Sequence, residues 1–180
     1  MQLDFLGDLR RTHMCGDLRP QHAGQQVVLM GWVSRRRDLG NVIFIDLRDR
    51  SGITQLVFDI GVNTATHEKA ESLRSEYVIA VIGKVRNRDQ ETVNKNLPTG
   101  EIEIAVEELR LLNESKPLPF SPAEAGPVNE EVRLKYRYLD LRRPEMHANI
   151  ALRHRVALAI RNYLAGKGFY EIETPFMTRS

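Results

Sequence analysis

Asn41-Val42-Ile43-Phe44-Ile45-Asp46-Leu47-Arg48-Asp49 is the stretch that decides the fold. Ile43, Ile45 and Leu47 fall on one side of an extended chain, and Phe44, Asp46 and Arg48 on the other. This is the period-2 pattern of a strand with one face in a core. Asp49-Arg50-Ser51-Gly52 then reads as a turn, and Ile53 to Asp59 as the next strand, with Leu56 and Phe58 on one face and Gln55 on the other. Upstream, Gln26 to Val33 alternates, with Val28, Met30 and Trp32 opposite Val27, Leu29 and Val33, and Arg35-Arg36-Arg37 lead into the loop before the central strand. Downstream, Thr64 to Arg74 reads as a short helix. Glu76 to Arg88 is predicted as a fourth strand, with Ile79, Val81 and Val85 inward and Lys84, Arg86 and Arg88 outward. Gly100 to Leu112 is predicted as a fifth, with Ile102, Ile104 and Val106 on one face.

Three strands, a helix and two more strands is the element order of an all-β OB-fold, a five-stranded Greek-key barrel with one short helix, whose central strands bind oligonucleotides. The whole chain of 180 residues has room for such a domain and part of another. Its net charge of +2 hides a local distribution. Basic residues gather at Arg35 to Arg37, at Lys84, Arg86 and Arg88, and from Arg133 to Arg143, while Glu101, Glu103, Glu107 and Glu108 gather elsewhere. A local basic face points to a polyanion partner more directly than the overall balance does. The single cysteine, Cys15, allows no intrachain disulfide and no cysteine-based zinc site, and suits a reducing compartment. The opening MQLDFLGDLRRTHM has acidic residues and no apolar run, unlike a signal peptide. No stretch approaches the ~20 apolar residues of a membrane span. The expected location is the cytoplasm, with no membrane partner.

Residues 114–129 hold Pro117, Pro119, Pro122 and Pro127, half of the 8 prolines, and read as a semi-rigid linker. From Glu130 the pattern turns helical. Glu145 to Ala165 carries an apolar stripe at Ile150, Ala157, Ile160 and Leu164, with Pro144 suited to the first turn and Gly166 to the stop. Phe169 to Thr174 reads as a short strand. The sequence then stops without a capping element, so a fragment is expected.

Phe44 is the sharpest clue to function. On a polar barrel face its ring either stacks on a nucleobase, worth roughly 1–3 kcal/mol per base, or covers a small apolar patch under a loop; spacing alone does not choose. Arginines at 35–37, 86 and 88 offer bidentate donors for phosphates or guanine edges, and Gln55 an amide for a base edge. Each arginine alone also fits a solvated surface charge. Together with an aromatic and an amide on one face they point to single-stranded nucleic acid.

Lys135-Tyr136-Arg137-Tyr138-Leu139-Asp140-Leu141-Arg142-Arg143-Pro144-Glu145-Met146 closely resembles the hinge of bacterial-type aspartyl-tRNA synthetases, which are class II, subclass b. Gly31-Trp32-Val33-Ser34-Arg35-Arg36-Arg37-Asp38-Leu39-Gly40 and Phe44 to Asp49 resemble the same family's anticodon-binding domain. Gly168-Phe169-Tyr170-Glu171-Ile172-Glu173-Thr174-Pro175 resembles class II motif 1. The resemblance runs from about Arg11 to Ser180. It implies an OB-fold anticodon-binding domain at 1–113 (with 1–10 an extension), a linker and hinge at 114–143, and the truncated start of an α+β catalytic domain at 144–180.

The resemblance further implies aspartate–tRNA ligase activity in the full-length protein, with ATP and Mg forming an aspartyl-adenylate before transfer to an aspartate tRNA. Phe44 is implied to stack on the central uracil of a GUC anticodon, and Arg37, Gln55, Arg86, Arg88 and Glu103 to contact anticodon bases or phosphates. Leu39 and Thr92 are implied to decide whether asparagine tRNA is also accepted; Leu39 is the discriminating form, and Thr92, where many members carry asparagine, leaves the question open. Gly168, Phe169 and Pro175 are implied to serve a homodimer interface. Arg133 to Arg143 either forms a basic strip beside the tRNA backbone or is taken up in internal ion pairs. Class II motifs 2 and 3 are not found, so no catalytic residue and no metal, ATP or Mg site is expected in this stretch. Two other readings stay open, a free-standing OB-fold RNA-binding protein and a module that only dimerises through residues 145–180.

Overall fold

A computed structural model describes residues 2–122 and 126–177. The chain divides into two compact units, Met1–Pro117 and Leu118–Ser180. The first contains β1 (Gln26–Asp38), β2 (Val42–Arg48), β3 (Ile53–Asp59), α1 (Thr64–Glu71), β4 (Val78–Asn87) and β5 (Ile102–Asn113). The strands close a barrel in the order β1-β2-β3-β5-β4, with β4 returning to β1. Every pairing is antiparallel except β3 with β5. The five-stranded OB-fold read from the sequence is the fold observed. Its interior is filled by Val27, Leu29, Val33, Ile43, Ile45, Leu47, Leu56, Phe58, Ile79, Val81, Val85, Ile102, Ile104 and Leu111, all at most 1% exposed.

Two irregularities set which residues face out. In β1 the pairing with β2 shifts between Val33 and Arg35. Val27, Leu29, Gly31 and Val33 point inward before the shift; strict alternation would put Arg35 and Arg37 inside as well. The bulge at Ser34 reverses the parity, so these arginines emerge on the outer face. Arg35 to Arg37 therefore lie within β1, paired with Asp46, Ile45 and Phe44, so the strand continues past Val33, where the sequence reading ended it. A second shift, opposite Glu107, reverses β5, so that Ile102, Ile104 and Val106 are followed inward by Leu109 and Leu111.

Residues 2–25 wrap the barrel without forming a strand. The Asp49 carboxylate folds the β2–β3 turn, accepting from Ser51 N at 2.8 Å and Ser51 Oγ at 2.6 Å. It also takes the Cys15 amide at 2.7 Å, tying this segment to the turn. Asp4 accepts from the Leu111 amide and from Lys69 Nζ, each at 2.5 Å, so residues ahead of the barrel are bound to β5 and α1.

The second unit holds α2 (Glu130–Lys135), α3 (Arg137–Asp140) and α4 (Pro144–Gly166). The α2 start is capped by Asn129, whose side chain accepts the Glu131 amide at 2.8 Å. Asp140 is fully buried and collects Arg133 Nε at 2.8 Å, Arg137 at 2.7 Å and Arg143 at 3.7 Å. Of the two readings of this basic run, internal ion pairing is the one seen for these three side chains.

Of the expectations for the last segment, the helix stop holds and the strand does not. α4 ends at Gly166, as read from the sequence, and the turn that closes it is made by Gly168, which has φ +85°; its amide donates to Ala165 O at 3.0 Å, and the Phe169 amide reaches Leu164 O at 3.1 Å. That pair of bonds needs a left-handed residue, which glycine supplies without a Cβ clash. Phe169 to Thr174 forms no strand, because a strand is a pairing and nothing among the described residues offers these amides a partner edge. Phe169 and Pro175 are exposed, and no α4 residue is buried.

Candidate nucleic-acid interface

The outer faces of β1, β2 and β3 are brought into rows by the strand register. Arg37 lies opposite Phe44, and Phe44 opposite Val57; one row along, Arg35 lies opposite Asp46, and Asp46 opposite Gln55. Across the barrel seam Arg86 lies opposite Glu103. The parallel β3–β5 pairing at Val57 and Ala105 brings these rows together. The result is a cleft of about 630 Å³ lined by Arg37, Leu39, Phe44, Gln55, Arg86, Arg88, Thr92 and Glu103, with Val42, Val57, Asp59, Asn87 and Asp89. That is the size of an ordinary small-ligand pocket. Of the barrel residues singled out from sequence, Arg37, Leu39, Phe44, Gln55, Arg86, Arg88, Thr92 and Glu103 line this one cleft, while Arg35, Arg36 and Lys84 do not.

Its polar side chains are already connected. Arg37 donates to Gln55 Oε1 at 2.8 Å, and Gln55 Nε2 donates to Glu103 Oε2 at 3.0 Å. Arg86 Nε donates to Glu103 Oε1 at 2.7 Å. Arg88 Nε lies 3.8 Å from the same carboxylate, and its guanidinium donates to the carbonyls of Ile102 and Thr92, both at 3.1 Å. The Arg37 guanidinium sits 5.6 Å from the centre of the Phe44 ring, within cation–π range. Phe44 keeps part of its surface open to the cleft.

Three placements differ from the expectation. Arg88 follows the outer face of β4 but is folded down, its side chain only 6% exposed. Burial draws its guanidinium below the usual arginine range, against the opposing pull of Glu103 and Asp46. Gln55 is 6% exposed, because neighbours on both sides cover it. Glu103, read as an outward carboxylate, is the hub of the network, its side chain 12% exposed.

The charge balance says what kind of recognition the cleft supports. Arg37, Arg86 and Arg88 are faced by Asp59, Asp89 and Glu103 within the lining. A surface that only attracts phosphates would not hold as many carboxylates as arginines. Fixed donors and acceptors around an aromatic ring suit the edges and face of a base. Beside this cleft a second depression is lined by Arg35, Arg37, Arg88 and Asp46, with Thr92 to Asn94 and Leu97. Its surplus of positive charge suits the adjoining backbone. Asp59 and Asp89 were not singled out in the sequence. Alternation along β3 would have found Asp59, on the same face as Gln55 and Val57; nothing local marks Asp89.

Residues 27–112 match the OB-fold nucleic acid binding domain family, and residues 129–180 match tRNA synthetases class II (D, K and N). The sequence is 65% identical over 178 residues to an aspartate–tRNA(Asp/Asn) ligase of Acidobacterium capsulatum, covering 99% of this chain and 29% of the relative. It is 54% identical over 178 residues to the ligase of the same name from Geotalea uraniireducens, covering 99% of this chain and 30% of the relative. The chain thus spans about 30% of the length of these curated relatives. A crystal structure of a putative aspartyl-tRNA synthetase from Leishmania major Friedlin superposes with a TM-score of 0.81 at 25% identity, covering 97% of this chain and 37% of that one.

Proposed function

Because the chain belongs to the bacterial aspartate–tRNA ligase family, of which it holds the OB-fold domain and the start of the class II domain, we propose that its cleft reads the anticodon of an aspartate tRNA. The observation that carries this reading is the partly open Phe44 ring, set between Arg37 and Val57 and bordered by the Gln55–Glu103–Arg86 network. In this reading Phe44 stacks on the central uracil. Arg37, Gln55, Arg86, Arg88 and Glu103 exchange parts of their mutual hydrogen bonding for base edges and phosphates. The exchange favours a base whose donors and acceptors replace those lost and penalises one that leaves a buried partner unpaired.

The whole enzyme, on this proposal, attaches aspartate to the tRNA through an aspartyl-adenylate formed from ATP with Mg, in the cytoplasm and as a homodimer. Among the described residues no three His, Cys, Asp or Glu side chains gather as a metal site, and no step through ATP or Mg is assigned to this stretch. Its contribution to the dimer is the exposed apolar face of α4, where Ile150, Ile160 and Leu164 are 49, 54 and 41% exposed, followed by Gly168, Phe169 and Pro175. Among the described residues no helix is long and apolar enough to cross a membrane. The relatives' name covers asparagine tRNA as well as aspartate tRNA. Leu39, 73% exposed at the mouth of the cleft, and Thr92 are the positions proposed to govern that choice.

The test is a fluorescence titration with anticodon stem-loops, comparing a GUC loop with one whose central uracil is replaced, and the wild type with Phe44→Ala. Each single change is expected to weaken binding about tenfold or more, as stacking is worth ~1.4 kcal/mol or above. The two together should add little. Equal binding to every loop, insensitive to Phe44 and governed by salt alone, would refute the assignment. Including a GUU loop in the series measures acceptance of asparagine tRNA directly.

A further inference from the structure

We infer that His67, on α1 behind the barrel, is a positioning residue that fixes the β1–β2 loop and thereby the cleft wall formed by Leu39. The inference rests on the cleft being the anticodon site. His67 is 1% exposed, yet its Nε2 lies 3.0 Å from the carbonyl oxygen of Gly40, at the tip of that loop. A carbonyl only accepts, so Nε2 carries a proton and donates it to Gly40. Nδ1 is buried without a hydrogen-bond partner, with Glu71 Oε1 3.7 Å away. A fully buried ring with one unsatisfied nitrogen is costly. An apolar side chain would fill the same space without that cost, so the bond to Gly40 is what the histidine adds.

The loop is short and its own bonds are few. Gly40 has φ +79°, a conformation that disfavours other residues, and its amide donates to Asp38 Oδ1 at 2.9 Å. Leu39 N donates to Val42 O, and Ile60 N to Asn41 O, both at 3.0 Å. His67 supplies the one side-chain bond to this tip from another element among the described residues. Leu39, adjacent to the anchored carbonyl, lines the same cleft as Phe44. Fixing Gly40 therefore fixes how far Leu39 stands from a base seated next to the one on Phe44.

The experiment uses the full chain with His67→Phe, which keeps the volume and removes the donor, and His67→Gln, whose Nε2 can reach the same carbonyl. Hydrogen exchange at the Leu39, Gly40 and Ile60 amides reads the anchoring without RNA. His67→Phe is expected to speed it by about fivefold, the worth of one hydrogen bond, and His67→Gln to restore it. Stem-loops altered at each of the three anticodon positions in turn then read the consequence. His67→Phe should change the preference at one position by a similar factor and leave the Phe44-dependent central position intact, with rescue in His67→Gln. Unchanged exchange in His67→Phe would overturn the anchoring. Changed exchange with unaltered base preference, or a uniform loss at all positions without rescue, would reduce His67 to a stabilising core residue. If the wild type itself does not distinguish the loops, the anticodon reading fails, a result separable from the exchange data.

Discussion

Removing Glu103 is the most searching perturbation of the cleft, because three neighbours depend on one carboxylate. Its Oε1 takes Arg86 Nε at 2.7 Å; its Oε2 takes Gln55 Nε2 at 3.0 Å and faces Arg88 Nε at 3.8 Å. The three losses differ in size. The Arg86 side chain is 48% exposed and water replaces its partner, so that pair is worth at most ~1 kcal/mol. Gln55, 6% exposed, is left with an amide donor it cannot present to solvent, at a cost of about 1–3 kcal/mol. Arg88, with its side chain 6% exposed, loses its nearest counter-charge but keeps the carbonyls of Ile102 and Thr92. Its share therefore falls below the 3–5 kcal/mol of a buried pair broken outright.

Glu103→Ala should thus cost about 2–4 kcal/mol. Glu103→Gln keeps an acceptor for Gln55 and should cost about half of that. Trp32, the single tryptophan, lies on β1, so its fluorescence during urea unfolding reports the barrel alone. The midpoint should fall with the slope unchanged. A loss below ~0.5 kcal/mol in Glu103→Ala, or equal losses in the two variants, would refute the view of Glu103 as the hub of the network. In RNA titrations Glu103→Gln, by removing a negative charge from the lining, should bind non-cognate loops more tightly while discriminating less.

The depression holding Arg35 is expected to contact backbone, so Arg35→Ala should weaken all stem-loops alike and make the slope of log Kd against log salt shallower by about 0.7; a base-selective loss would contradict this placement. Gly83 faces β5 so closely that a Cβ would lie 2.5 Å from Ala105 O. Gly83→Ala should therefore lower barrel stability by ~1–3 kcal/mol, and an unchanged urea midpoint would show that the strands can part. Burial would raise the Asp49 carboxyl, but hydrogen bonds from Ser51 and the Cys15 amide outweigh it and hold the group below its usual value. A depressed folded-state value gives stability that is present above the unfolded pKa of ~4 and lost as pH falls through the folded one. The acid limb of a stability–pH curve below about pH 4 should accordingly be shallower in Asp49→Asn, and an identical limb would argue against the shift.

The barrel was legible because its strands alternate cleanly, and because Phe44, Asp46 and Arg48 share a face that the core residues cannot occupy. The cleft membership of Arg37, Gln55, Arg86 and Glu103 followed from the same alternation once the family was recognised. What alternation could not supply was the parity change at Ser34. A bulge has no required residue type, so nothing in Val33-Ser34-Arg35 announces that the arginines continue a strand and emerge outward. Arg88 illustrates a second limit. Its outward parity was read correctly, but its burial depends on the Thr92 and Ile102 carbonyls, which reach it through a loop whose path no periodicity encodes. At Phe169 to Thr174 the failure is of another kind: β-favouring composition describes a capacity to pair, and a strand exists only where a partner edge is present.

The stretch from Arg133 to Arg143 shows how a basic sequence can be taken up in structure. Arg133, Arg137 and Arg143 converge on Asp140, whose carboxyl is held below its usual value first by the hydrogen bond from Arg133, with burial opposing. One carboxylate does not neutralise three guanidinium groups, so a formal excess of positive charge remains. The side chains of Arg133 and Arg137 are 31% and 48% exposed. Strip and ion pair are therefore not opposites here. Each guanidinium carries five N–H donors in a rigid fork, and Asp140 engages only some of them while fixing where the rest point. Ordering an arginine before an anion arrives removes part of the entropy that binding would otherwise cost. The barrel cleft follows the same logic with the opposite balance. There carboxylates match the arginines in number, and on the proposed reading discrimination would rest on which base can replace the bonds that Gln55 and Glu103 already make.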